Sequence, residues 1–277
     1  MRKGQEDAAI LAGTANPIAA YQEAIRLNPQ VFWFHHRLGV AYETIGDATA
    51  ALACYQQAVT LNPEAEQVHL KLGRLFRQQN DLSQAVHHYQ RVLALNPGQQ
   101  WVYKLVGTDL VKLDRHREAI PHLKQAIERD EPLAWVHFTL AEALIHENEW
   151  TAAVAAYREA IRLEGDDPWW HYKLGMALAT IGDFEGAIAS YQEAIARQPD
   201  TVSFQQKIGE TLTAQGQFDR AIPHLQRAIE LDPTPFQPYF ILGQALFQTG
   251  EVEAACIHLE QARQRNPDHR PTQDWLQ

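Results

Sequence analysis

An alanine recurs along this chain at an unbroken step of 34 residues: Ala51, Ala85, Ala119, Ala153, Ala187, Ala221 and Ala255. Gly39, Gly73, Gly107, Gly175, Gly209 and Gly243 keep the same step, with Ala141 in the remaining slot. Tyr21, Tyr55, Tyr89, Tyr157 and Tyr191 do so again, with Leu123, Leu225 and Leu259 filling the other positions. A fixed period of this length marks one small unit copied many times, each copy burying its apolar face against its neighbours. The length of 277 residues would otherwise suggest one or two globular domains; the period overrides that expectation.

The stretch from Trp170 to Pro199 shows the unit most clearly. Leu174, Ala177, Leu178 and Ile181 fall at three- and four-residue spacing, which places them on one helical face. Gly182 is suited to the positive φ that ends a helix, and Asp183 to capping the next. Ala187, Tyr191, Ala194 and Ile195 mark the inner face of a second helix, which Pro199 stops. Pro29, Pro63, Pro97, Pro233 and Pro267 close other copies.

This pattern resembles the tetratricopeptide repeat family, and the resemblance covers nearly the whole chain. It implies an all-α fold, a right-handed α-solenoid superhelix of antiparallel helix pairs. The organisation expected is a degenerate repeat or cap over 1–31, seven repeats over 32–267, and a cap or the start of a further repeat over 268–277. The repeats begin near Phe32, Glu66, Gln100, Ala134, Pro168, Val202 and Phe236. Pro132 and Gly165 alter two junctions, and Pro121 and Pro223, inside second helices, predict local kinks. At the C-terminus Leu276 falls on the register beside Trp275; a docking cap and a piece of a longer protein both remain open.

The apolar fraction of 45% suffices for a continuous core, and the formal net charge of −10 argues against nucleic acid as a partner. Cys54 and Cys256 lie six repeats apart, too far for a disulfide, and read as buried or half-buried helix residues of a reducing compartment. No apolar run approaches the ~20 residues of a membrane span, and the N-terminus lacks a secretory pattern. A cytoplasmic protein is expected.

No catalytic signature is present: no phosphate-binding glycine loop, no G-x-S-x-G and no zinc-protease helix, since Trp150 stands four residues after His146. His35, His69, His137 and His171 recur at the 34-residue step, with Tyr103 and Tyr239 in the same slot elsewhere. Rings about 10 Å apart on successive helices cannot share one metal, so a structural role is expected. No enzyme activity, metal or cofactor is expected.

The family resemblance implies that first helices line a concave groove, with partner contacts from the second, fifth, ninth and twelfth positions of each unit. Carried onto this chain, those positions include Trp33, Trp101, Trp135 and Trp169 in one slot, His36, Lys104, Phe138 and Tyr172 in the next, and Arg74, Arg77 and Met176 further along. Tryptophan is enriched at binding hot spots. Arg74, Arg77 and Lys104 read as a basic patch in an acidic protein. Together they suit an extended peptide bearing carboxylates and apolar side chains. The other reading stays open: the tryptophans pack between neighbouring first helices and the charges are solvated. The family's carboxylate clamp is incomplete, because Thr108 and Thr139 stand where it requires other residues.

The expected function is a scaffold or adaptor that binds a protein or peptide segment, with no nucleic acid and no membrane insertion. One alternative is the recruiting arm of a larger modular enzyme, a glycosyl-, sulfo- or methyltransferase whose catalytic domain lies outside this chain. Another is self-association through the C-terminal end.

Overall fold

The computed structural model describes residues 16–129, 133–165 and 167–275. Among these it holds only helices, in two compact units that divide at Glu131–Pro132. Unit 1 contains α1 (Pro17–Leu27), α2 (Phe32–Thr44), α3 (Ala48–Leu61), α4 (Glu66–Gln78), α5 (Leu82–Leu95), α6 (Gln100–Lys112) and α7 (His116–Arg129). Unit 2 contains α8 (Ala134–His146), α9 (Trp150–Leu163), α10 (Pro168–Thr180), α11 (Phe184–Arg197), α12 (Val202–Ala214), α13 (Phe218–Leu231), α14 (Phe236–Gln248), α15 (Val252–Arg265) and α16 (Arg270–Trp275). Within each unit, a first helix packs most extensively on the second helix of its own repeat, and that helix packs on the next first helix. The architecture is an all-α array of antiparallel helix pairs.

The turn inside every pair is built the same way. Gly46, Asn80, Asp114, Asn148, Gly182, Gly216 and Gly250 follow one another at the 34-residue step, and all have positive φ, from 57° at Asp114 to 87° at Gly250. The next residue then donates its N–H back to the first helix, as Asp183 does to the Leu178 carbonyl at 3.0 Å and Asp81 to that of Phe76 at 2.9 Å. This closes the helix end and satisfies carbonyls that would otherwise be orphaned. Asp47, Asp81 and Asp183 also cap the following helix, each accepting from the N–H three residues on.

The turn between most pairs carries a proline. The residue before it leaves the helix with φ near −140°, as at Asn62 (−140°), Asn96 (−144°) and Gln198 (−141°). Proline favours this conformation in its predecessor, but Glu164, which precedes Gly165, adopts it as well with φ −145°. Asn62 and Asn96 then accept the N–H two residues on, at 3.1 Å in each case. Pro121 and Pro223 do not shorten their helices: α7 and α13 keep the 14 residues of proline-free α5.

Helix pairs can approach closely because the recurring glycine carries no side chain. A Cβ at Gly73 would stand 2.7 Å from the Tyr89 ring, and one at Gly107 would stand 2.6 Å from Leu123. Tyr55, Tyr157 and Tyr191 are buried completely in this crossing, and the alanine series beside them is buried throughout. Full burial of a large apolar side chain contributes roughly 1.5–3 kcal/mol, and the crossing recurs in each pair.

Candidate functional site

The histidine slot of the first helices is structural. His35, His69 and His171 direct Nε2 at the main-chain carbonyl six residues earlier, that of Pro29, Pro63 and Gly165, at 2.9, 3.0 and 3.1 Å. Gln205 and Tyr239 donate to Pro199 and Pro233 in the same way. The corresponding partner of His137 falls outside the described residues. In these five repeats the slot holds a donor that ties the first helix to the turn before it; in α6, where Tyr103 fills the slot, the Pro97 carbonyl accepts from Arg129 instead, at 3.1 Å. Among the described residues no group of three side chains is placed to hold a metal.

A second histidine series escaped the sequence reading. His88, His122, His224 and His258 occupy one slot of the second helices and pack on His69, Tyr103, Gln205 and Tyr239. Burial holds all four below the ordinary histidine value, His88 down to about 4. His69 and His88 meet Nδ1 to Nδ1 at 2.9 Å. His69 already donates through Nε2, so in its neutral form its Nδ1 accepts from His88 Nδ1–H.

Between α2, α4 and α6 of unit 1 lies a groove of about 860 Å³. Val40, Leu70 and Leu105 give it an apolar floor, and Trp101, 42% exposed, stands at its edge. Lys71, Arg74, Arg77 and Lys112 line it as well. Glu43 accepts from Lys71 at 2.8 Å and from the Tyr55 hydroxyl at 2.8 Å, and pairs with Arg74 at 3.0 Å. Burial pushes the Glu43 carboxyl up, but these three partners outweigh it and leave it below the usual range. Asp109 is fully buried. Arg77 Nε donates to its Oδ1 at 3.0 Å and lies 2.9 Å from Oδ2 as an ion pair, while the buried Oδ2 accepts no hydrogen bond from a described residue. Burial raises the Asp109 carboxyl, and Arg77 and Lys112 oppose that rise.

The residues singled out from the sequence separate into three groups. Arg74, Arg77, Trp101 and His36 line the unit 1 groove. Trp33 lies beside it, stacked on His36 at 4.9 Å, with Arg37 over its ring. Lys104, half-buried on α6, is not among the groove residues, so the basic patch consists of Lys71, Arg74, Arg77 and Lys112 instead. In unit 2, Phe138 and Tyr172 belong largely to the packing: Phe138 stacks on Trp170 at 5.2 Å, and Tyr172 is buried against Phe204 and Tyr191. Trp169 packs edge-on to Phe204 at 4.8 Å yet stays 43% exposed, and Trp135 is exposed too. Met176 edges a smaller hollow of about 340 Å³ beside Lys207 and Glu210.

Sequence reasoning placed Glu43 at a groove position but missed Lys71, Lys112 and Asp109. Asp109 had a signal. Its slot holds Ala41, Leu75, Ala143, Ala177, Thr211 and Ala245 in the other repeats, so a carboxylate there is buried and needs a partner. Both cysteines are free; Cys54 is half-buried, but Cys256 is exposed, contrary to the reading of both as buried or half-buried. Trp275 on α16 packs edge-on to Phe247 at 5.2 Å, while Leu276 lies outside the described residues. No described helix is long and apolar enough to cross a membrane.

Comparison with known proteins agrees with this geometry. Tetratricopeptide repeat profiles match residues 18–66, 36–100, 107–168, 138–200 and 172–238, and a second such profile matches 212–273. The chain belongs to the tetratricopeptide repeat family. Among solved structures it is similar to a MamA protein at 25% identity and a TM-score of 0.57, over 62% of this chain and 94% of that one. It is similar to YrrB, described as a TPR protein with an unusual peptide-binding site, at 22% identity and a TM-score of 0.57, over 67% and 95%. MamA from Desulfovibrio magneticus RS-1 matches at 17% identity and a TM-score of 0.56, over 61% and 96%. Comparison with curated proteins gives no match.

Proposed function

We propose that the chain is a non-enzymatic interaction scaffold that captures an extended protein segment, with the groove of unit 1 as its principal seat. The observation that carries this reading is the groove itself: about 860 Å³, an apolar floor of Val40, Leu70 and Leu105, and an exposed tryptophan at its edge. A hollow with an aromatic anchor and a few convergent polar groups is the usual form of a recognition site. The family supports the same reading, since its fold often mediates protein or peptide binding. YrrB, which shares the fold, is described as having a peptide-binding site. In unit 2, Trp135, Trp169 and Met176 offer a separate exposed apolar edge for the same kind of contact.

The test is selection of peptides from a random displayed library on the intact chain, followed by affinity measurement on Trp101→Ala. Selected peptides should lose at least tenfold in affinity, because an aromatic anchor contributes 2 kcal/mol or more, while far-ultraviolet circular dichroism stays unchanged. A Trp135→Ala/Trp169→Ala variant measured in parallel reports on the unit 2 edge. Unchanged affinity in both variants refutes the reading.

A further inference from the structure

We infer that the unit 1 groove takes an acidic extended peptide, with one ligand carboxylate seated on the outer edge of the Arg77 guanidinium. The inference rests on the binding reading above and names the chemistry of the ligand.

The first argument is charge. Four cations line the groove, Lys71, Arg74, Arg77 and Lys112, and the carboxylates that meet them are Glu43 and Asp109. Two cations therefore stand against each carboxylate, in a chain whose formal net charge is −10. Lys112 is exposed and makes no ion pair with a described residue. A groove of this sign in an acidic molecule attracts acidic segments and turns away basic ones.

The second argument is how Arg77 is held. Asp109, fully buried, engages Arg77 only through Nε. The two terminal nitrogens make no hydrogen bond with described residues, and the side chain lines the groove. A guanidinium fixed along its Nε edge keeps its terminal edge in a set direction. That edge matches a carboxylate through two parallel N–H···O bonds. Asp109 thus acts as a positioning residue, and Arg77 as the contact residue.

The third argument is spacing. Leu70 and Trp101 line the same groove as the cations, so an apolar ligand side chain next to the acidic one has a surface to cover. In an extended peptide, successive side chains point to opposite sides, which lets acidic and apolar groups reach different walls.

The experiment uses the whole chain and fluorescein-labelled decapeptides of alanine with one central leucine and flanking glutamates, glutamines or phosphoserines. The glutamate peptide should bind at least tenfold more tightly than the glutamine peptide, and the gap should shrink as salt is raised. Arg77→Gln alone leaves a buried carboxylate bare, so the decisive variant pairs Arg77→Gln with Asp109→Asn, checked for unchanged helicity and melting. In it the gap should close. Equal affinity for the glutamate and glutamine peptides overturns the assignment, as does a gap that survives in the double variant. A phosphoserine peptide bound far more tightly than the glutamate peptide overturns it in favour of phosphate. If the glutamine peptide binds in a Trp101-dependent way without discrimination, the groove reading stands and the Arg77 anchor falls; if no peptide binds, both fall.

Discussion

Arg77 and Asp109 show how much a single residue can decide. Removing the guanidinium strands a fully buried carboxylate. Breaking a buried pair costs about 3–5 kcal/mol, and the partial exposure of Arg77 lowers the expectation to roughly 2–3 kcal/mol. Arg77→Ala should therefore reduce stability markedly in urea titration, and adding Asp109→Asn should restore most of the loss. The crossing glycines make a similar test. Gly175→Val would drive carbon into the Tyr191 ring, whose nearest atom lies 2.6 Å from an ideal Cβ. Overpacking of this kind costs about 1–3 kcal/mol, readable as a lower urea midpoint. At this scale the sequence was partly legible. The glycine, alanine and tyrosine series could be read because a constraint repeated seven times leaves a period. Lys71 and Lys112 could not be read in that way, because each answers a need that arises once, in one groove; Asp109 was legible only as the one carboxylate in a slot that is otherwise Ala, Leu or Thr.

The helix pair is where pH acts. His69, His88, His122, His137, His224 and His258 are all held below the ordinary histidine value, chiefly by burial. The folded state thus binds fewer protons than the unfolded state as pH falls through the region of the unfolded value, about 6.5. The stability these groups leave intact above that pH is lost progressively on acidification toward about 4, the value reached by His88. Urea midpoints at neutral pH and near pH 5 should differ, with the acidic one lower. In a His69→Gln/His88→Gln variant the difference should shrink, because the Nδ1–Nδ1 contact that protonation disrupts is gone. Pro223 belongs to this scale too. Its ring removes one bond inside α13, and Pro223→Ala should raise stability by up to ~3 kcal/mol. The second-helix histidine series was visible at the 34-residue step but interrupted by Cys54, Ala156 and Ser190, so periodicity alone did not single it out.

For the molecule as a whole, the packing is between neighbours in the chain. Stability in such an array is close to a sum of repeat terms and nearest-neighbour terms. A lesion in one repeat should stay local. With Gly73→Val, hydrogen exchange followed by mass spectrometry should show lost protection in α4, α5 and the helices packed on them, with α14 and α15 unchanged. Uniform loss along the chain would contradict that arrangement. The array of helix pairs was legible from period alone, whereas the groove was not, because its volume depends on which side chains face one another across three helices rather than on any single repeated slot.

The pairing of Arg77 with Asp109 also constrains how such a gene can be rearranged. The arginine lies in one repeat and the carboxylate in the following one. A duplication, deletion or shuffling event that gave Asp109's repeat a different upstream neighbour would leave that carboxylate without its counter-ion. Repeats that look interchangeable by their glycines, alanines and tyrosines thus carry an address, and exchanging these two copies for others would cost stability.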